Sequence, residues 1–257
     1  MSIDNKNAAP VGVFDSGVGG LTVAREIMRQ LPNENLVYFG DTARVPYGSK
    51  SRDNIIRYSR QIIHFLKTKG VKAIVIACNT ASALALDVVR EESDIPIIGV
   101  VEPGARAALQ ITQTKKIGVI GTEATVQSAM YGKIIKGLDP TVSVIGKACP
   151  LFVPLVEEGF AKHKVTEEII DYYLASMKES DIDSLILGCT HYPLLRSRIR
   201  AYLGDKIQLV NPAYETAMDL KYILKERRKR RGACDIFLLC KRCCGQVQTI
   251  CELNSPI

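Results

Sequence analysis

The sequence predicts an α/β protein made of two pseudo-symmetric, doubly wound halves with mostly parallel sheets. Three observations lead there. Short apolar runs alternate along the chain with segments of helical period. An apolar run entering a small-residue turn occurs at Val11–Phe14 and again at Lys116–Gly121. A second kind of run ends in a cysteine at Ala73–Cys78 and again at Ser184–Cys189. The first turn precedes its cysteine by 63 residues (15 to 78), and Thr122 precedes Cys189 by 67, the pattern a duplication leaves. The halves are assigned as residues 1–102 plus 212–257, and 103–211.

In the first half, Val11–Phe14 reads as a strand, Asp15–Gly20 as a glycine-rich turn and Leu21–Gln30 as a helix. The turn lacks the G-x-G-x-x-G spacing of a dinucleotide site, so no nucleotide cofactor is assigned to it. Leu36–Gly40 is the second strand. Asp41–Gly48 has the Pro and Gly chemistry of a loop. Ser51–Lys69 is a long amphipathic helix with Ile55, Ile62, Ile63 and Leu66 on its apolar side. His64 on that helix has no partner at metal-ligand spacing and reads as surface. Ala73–Ala77 is a buried strand, a helix runs from Ala81 to Glu92, and Ile95–Val100 is a strand ending in a Glu102-Pro103-Gly104 turn.

In the second half, Ala105–Thr112 is expected to be helical, Lys116–Thr122 a strand, Ser128–Lys136 a helix and Val142–Cys149 a strand. Pro150–Gly159 is a proline-bracketed loop or short helix. Thr166–Glu179 is a helix, with Thr166 as its cap and Glu167 and Glu168 in its first turn. Ser184–Gly188 is the second cysteine strand, followed by helical spacing from Leu194. Asn211-Pro212 marks the crossing back, and Tyr214–Arg231 reads as a final helix.

At 257 residues with 47% hydrophobic content, the chain can bury a sizeable core, and no apolar run reaches the ~18 residues of a membrane span. Its polar start has no signal-peptide pattern, so a cytoplasmic protein with free thiols is expected. The net charge of +7 is local. Residues 221–231 hold seven basic residues and one acidic, leaving 27 basic against 26 acidic elsewhere. Such a run reads as a solvated helix end rather than a nucleic-acid surface.

A cysteine at the carboxyl end of a strand, just before a helix, meets backbone N–H groups and the positive helix end, which favours thiolate over thiol. Two such cysteines on similar elements suggest one site approached from two sides. A carbon acid beside a carboxylate holds its proton tightly. Inverting that centre without a cofactor needs a base on one face and an acid on the other, with the roles exchanged in the reverse direction. Paired thiols suit that symmetry. Each needs a tuning group, for which Asp15 is placed near Cys78 and His191 near Cys189. Cys149, without such a context, reads as a small core residue.

Phe14-Asp15-Ser16-Gly17-Val18-Gly19-Gly20-Leu21, Pro46-Tyr47-Gly48, Ala77-Cys78-Asn79-Thr80-Ala81 and Gly188-Cys189-Thr190-His191-Tyr192-Pro193, in that order, resemble glutamate racemases of the aspartate/glutamate racemase group. The resemblance runs from about Val11 to about Leu224. It implies interconversion of L- and D-glutamate in a cleft between the halves, without pyridoxal phosphate or metal, by a homodimer that supplies D-glutamate for peptidoglycan. It implies Cys78 and Cys189 as the acid/base pair, assisted by Asp15 on one side and by His191 with Glu157 on the other. Asp15, Ser16, Pro46, Tyr47, Gly48, Asn79, Thr80, Thr190 and His191 would bind substrate.

The ending from Arg230 to Val247 does not share the resemblance. Five of the eight cysteines fall in the last 24 residues, where Cys240-x-x-Cys243 lacks the second well-spaced pair of a zinc site. Rival readings are an aspartate or hydantoin racemase, a nucleic-acid-binding protein using residues 225–231, and a dithiol redox protein.

Overall fold

The structure, a computed structural model, describes residues 9–227. The described residues up to 218 belong to one compact unit, and those from 219 to a second. Of the second, residues 219–227 are described and are helical. The cysteine-rich tail from Cys234 and the part of the basic run beyond Arg227 lie outside the described residues.

The first sheet contains β1 (Val11–Asp15), β2 (Leu36–Gly40), β3 (Ala73–Ile76) and β4 (Ile97–Gly99) in the order β2-β1-β3-β4. The second contains β5 (Lys116–Gly121), β6 (Ser143–Ala148), β7 (Ser184–Gly188) and β8 (Gln208–Val210) in the order β6-β5-β7-β8. All six pairings are parallel. The second sheet therefore repeats the first strand for strand, as the internal spacing predicts. Central strands β1, β3 and β7 are buried along their whole length. That explains their continuous apolar sequence, since parallel sheets are covered on both faces.

The covering helices are α1 (Leu21–Gln30), α2 (Arg52–Thr68), α3 (Asn79–Leu84), α4 (Leu86–Glu91) and α5 (Val101–Ile111), then α6 (Glu123–Gln127), α7 (Met130–Leu138), α8 (Phe152–Glu157), α9 (Lys164–Lys178) and α10 (Arg196–Leu203). Residues 212–227 are also helical. No helix among the described residues is long and apolar enough to cross a membrane. Helix α2 shows why its sequence folds this way. Ser51 caps it by accepting the Asn54 N–H at 3.4 Å, and Ile55, Ile56, Ser59, Ile62, Ile63 and Leu66 fall on its buried stripe. Its His64 is exposed. Ile55, Ile62 and Leu66 join Phe14, Ile74 and Ile76 in the core of the first half, where each buried side chain contributes about 1.5–3 kcal/mol.

Four boundaries differ from the sequence expectation. The helix after Cys78 starts at Asn79 rather than Ala81, because Cys78 is itself the cap, and it breaks at Ala85 into α3 and α4. Glu102-Pro103-Gly104 lies inside the first turn of α5, where proline loses no helical hydrogen bond. The expected helix Ser128–Lys136 is α7, which starts at Met130, and an unexpected short helix, α6, precedes it, parted from it by Ser128 and by Ala129 in the left-handed region at φ 52°. Thr166 is not a cap. His163 caps α9, its Nδ1 accepting the Val165 N–H at 3.3 Å, and Thr166 donates instead to Phe160 O at 2.7 Å. Cys149 is a buried core residue, as read from the sequence.

Candidate active site

In each sheet the connections out of the two central strands run in opposite directions, β1 to β2 against β3 to β4, and β5 to β6 against β7 to β8. Ligand crevices form at this switch point, beyond the carboxyl ends of the strands. Asp15 ends β1, and Ser16 follows it. Cys78 lies two residues beyond β3, Thr122 one beyond β5 and Cys189 one beyond β7. The two switch points share one cavity of about 280 Å³, and both sulfur-bearing residues line it.

From the first half, Ser16, Pro46, Tyr47, Gly48, Asn79 and Thr80 also line that cavity. Glu157, Thr190 and His191 line it from the second. Asp15 sits behind the wall, fully buried, with Oδ2 accepting from Gly17 N–H at 3.1 Å and Gly20 N–H at 2.9 Å. Its Oδ1 is buried with no hydrogen bond. The wall also contains Thr122, Val45, Val153 and Pro154, which sequence reasoning missed. Thr122 carried a usable signal, because it follows β5 as Ser16 follows β1.

Cys78 Sγ accepts the Ala81 N–H at 3.5 Å and donates to Ser16 Oγ at 3.7 Å. The expectation that its helix end favours thiolate is corrected here. Burial pushes the Cys78 thiol up to about 12, the negative charge of Asp15 adds to that, and the Ala81 N–H and Ser16 hydroxyl only partly offset it. Burial raises the Asp15 carboxyl as well, against the lowering by the Gly20 and Gly17 N–H groups and His191. Removal from water outweighs a single capping N–H at this site.

On the other side, Cys189 Sγ lies 3.8 Å from His191 Nδ1, and His191 Nε2 lies 3.0 Å from Glu157 Oε1. The imidazole is buried while the Glu157 side chain is 43% exposed, so the chain of groups runs from solvent to sulfur. Burial raises the Cys189 thiol too; the His191 backbone N–H lowers it, and the charges of Asp15, Cys78 and Glu157 raise it. Burial thus disfavours the thiolate at both cysteines, and the His191 ring lies beside Cys189.

Tyr47 lines the cavity. Its hydroxyl is turned away and donates to Asp41 Oδ2, and Asp41 is paired with Arg44 Nε at 2.7 Å. The Arg44 guanidinium stacks 4.3 Å above the Tyr58 ring, which fastens the Pro46-Tyr47-Gly48 loop to α2.

Several bonds cross between the halves. Thr22 Oγ1 donates to Thr190 O at 3.1 Å, Ala124 N–H to Gly48 O at 3.1 Å and Tyr131 O–H to Asn79 Oδ1 at 2.7 Å. Thr80 Oγ1 lies 2.9 Å from Thr122 Oγ1. Gly19 permits the closest approach. A Cβ there would sit 2.5 Å from His191 Cε1 and Thr190 Oγ1.

Residues 11–219 match the family model described as Asp/Glu/Hydantoin racemase. The chain is 50% identical over 215 residues to the glutamate racemase of Geobacter metallireducens, covering 84% of this chain and 80% of that one. It resembles the crystal structure of a glutamate racemase isoform from Bacillus anthracis with a TM-score of 0.83 and 46% identity, over 85% of this chain and 82% of that one. It also resembles the Francisella tularensis glutamate racemase in complex with D-glutamate, with a TM-score of 0.82 and 41% identity, over 86% and 83% of the two chains.

Proposed function

Because the chain belongs to the Asp/Glu/Hydantoin racemase family, we propose that it interconverts L- and D-glutamate through Cys78 and Cys189, one on each face of the substrate α-carbon. The observation that carries this reading is the sharing of one cavity by two buried thiols, each from an equivalent strand end of a repeated half. One sulfur, as thiolate, takes the α-proton and becomes a thiol. The other, as thiol, gives its proton to the opposite face and is left as thiolate. The next turnover in the reverse direction starts from that state.

Neutral thiols must first be ionised. In one direction Asp15 takes up the proton of Cys78 while Cys189 stays a thiol; in the other His191, held by Glu157, takes up that of Cys189 while Cys78 stays a thiol. The ammonium group of the bound amino acid brings the positive charge that makes a buried thiolate tolerable. The Asn79 amide, the hydroxyls of Ser16, Thr80 and Thr190, and the N–H groups of the Tyr47-Gly48 loop bind the two carboxylates and stabilise charge that develops as the α-proton leaves. On the same resemblance we read the reaction as cytoplasmic, carried out by a homodimer without a cofactor, and as a source of D-glutamate for peptidoglycan. The same resemblance supports the halves as residues 1–102 plus 212–257, and 103–211.

Circular dichroism of L-glutamate incubated with purified protein and no added cofactor tests the reading. The optical signal should decay to zero. A panel that includes aspartate settles substrate choice, and faster turnover of aspartate than of glutamate would reject glutamate.

A further inference from the structure

We infer that Tyr131 is a positioning residue that fixes which way round Asn79 presents its amide to the substrate. The inference rests on the function proposed above and adds a residue outside the cavity wall.

Asn79 begins α3 directly after Cys78, and Tyr131 lies on the first turn of α7 in the other half. The Tyr131 ring is 3% exposed. It sits against two bare stretches of backbone. A Cβ on Gly104 would lie 3.4 Å from its Cε1, and a Cβ on Gly188 would lie 3.3 Å from its Cε2. Gly188 immediately precedes Cys189. The ring is therefore seated beside the strand end that carries the second thiol. The residue two before it, Ala129, holds left-handed backbone that a non-glycine residue adopts at a cost of about 1 kcal/mol. That turn separates α6 from α7, and Tyr131 follows it inward.

The phenol can both donate and accept, but its hydrogen needs an acceptor in this buried place. Asn79 Oδ1, at 2.7 Å, is the partner recorded for it among the described residues. Burial, then the charge at Cys189, raises the Tyr131 hydroxyl above its ordinary value, so it keeps its proton. The amide orientation follows. Oδ1 is used by the phenol, and Nδ2, which has no recorded protein partner among the described residues, is left for the cavity that Asn79 lines. This amide thus offers the cavity its N–H donors rather than its oxygen. That suits a carboxylate and repels an ammonium. A reversed amide would strand the phenol hydrogen and turn an oxygen towards the substrate carboxylate.

Tyr131→Phe keeps the ring in its slot and removes only the hydroxyl. Racemisation of glutamate should show KM raised about fivefold or more in both directions, with kcat changed less. In an Asn79→Ala background the same substitution should change KM no further, because no amide remains to orient. A role confined to packing would lower the thermal midpoint and leave KM at the wild-type value. Unchanged KM in Tyr131→Phe, or an equal rise in the Asn79→Ala background, overturns the inference while wild-type racemisation keeps the functional reading standing. A wild type that racemises no acidic amino acid overturns both.

Discussion

His191 Nε2 lies 3.0 Å from Glu157 Oε1, and the same ring presents Nδ1 to Cys189 at 3.8 Å. One imidazole thus joins a half-exposed carboxylate to a buried sulfur. Glu157→Gln weakens the hold on the imidazolium, so proton transfer at Cys189 should slow about tenfold or more. Deuterium uptake at the α-carbon, measured from each enantiomer in heavy water, reads this directly. One enantiomer should lose exchange more than the other, and equal exchange from both would show that Glu157 does not act through His191.

Cys78→Ser and Cys189→Ser should each slow racemisation by at least about 10²-fold, since a hydroxyl is a far weaker acid than a thiol at neutral pH. Each should retain solvent exchange from one enantiomer more than from the other, and the favoured enantiomer should reverse between the two variants. Wild-type rates in both variants would dismiss the two-thiol reaction.

Buried thiols also leave a mark on stability. The Cys78 pKa rises from 9.0 in its unperturbed state to about 12 in the fold. Between those values the unfolded chain has lost a proton that the native state still holds, so stability falls as pH rises. The Cys78→Ala protein should lose stability across pH 9 to 12 less steeply than wild type, by about 1.4 kcal/mol per pH unit. Urea titrations at three pH values measure this, and parallel slopes would show that the thiol is not held neutral.

Gly19→Ala puts a methyl group where His191 Cε1 and Thr190 Oγ1 already lie, 2.5 Å away. The rim must open or the imidazole must turn. Either displaces the His191–Cys189 contact, and misplacement on that scale should reduce kcat/KM about 10²-fold. Gly70→Ala is the control for adding a methyl group elsewhere, although its φ of 68° brings strain of its own. Equal losses in the two variants would refute the steric account.

Tyr47→Phe should act on stability more than on turnover. Its hydroxyl donates to the buried Asp41 carboxylate, which keeps Arg44 beside the same oxygen, and losing one hydrogen bond to a charged group costs about 1.5–3 kcal/mol. Chemical denaturation beside KM for glutamate separates the effects. A large KM increase with unchanged stability would mean that the hydroxyl meets substrate.

The two halves were legible because parallel strands covered on both faces leave continuous apolar runs, and because the chain repeats itself at similar spacing. Ser16, Cys78 and Cys189 could be placed at strand ends for the same reason. What stayed hidden depends on tertiary context. Helix α6 is five residues long and is capped by Thr122, whose side chain accepts the Thr125 N–H, a signal too short to rise above loop composition. Glu102-Pro103-Gly104 read as a turn closing a strand, yet a proline in the first turn of a helix gives up no helical hydrogen bond. The thiol acidity was misjudged because a sequence shows the capping N–H groups but not how completely a side chain is removed from water. Tyr131 read as part of an ordinary helix, and its tie to Asn79 spans 52 residues of sequence.

The sulfur of Cys78 also finishes a helix, taking the hydrogen-bonding place at the head of α3 that an oxygen fills in most helices. Serine is a good occupant of that place, so an inert Cys78→Ser protein inherits an intact scaffold. Such a protein would be a receptor that recognises its amino acid without consuming it, and so a starting point for a fluorescent reporter of the metabolite.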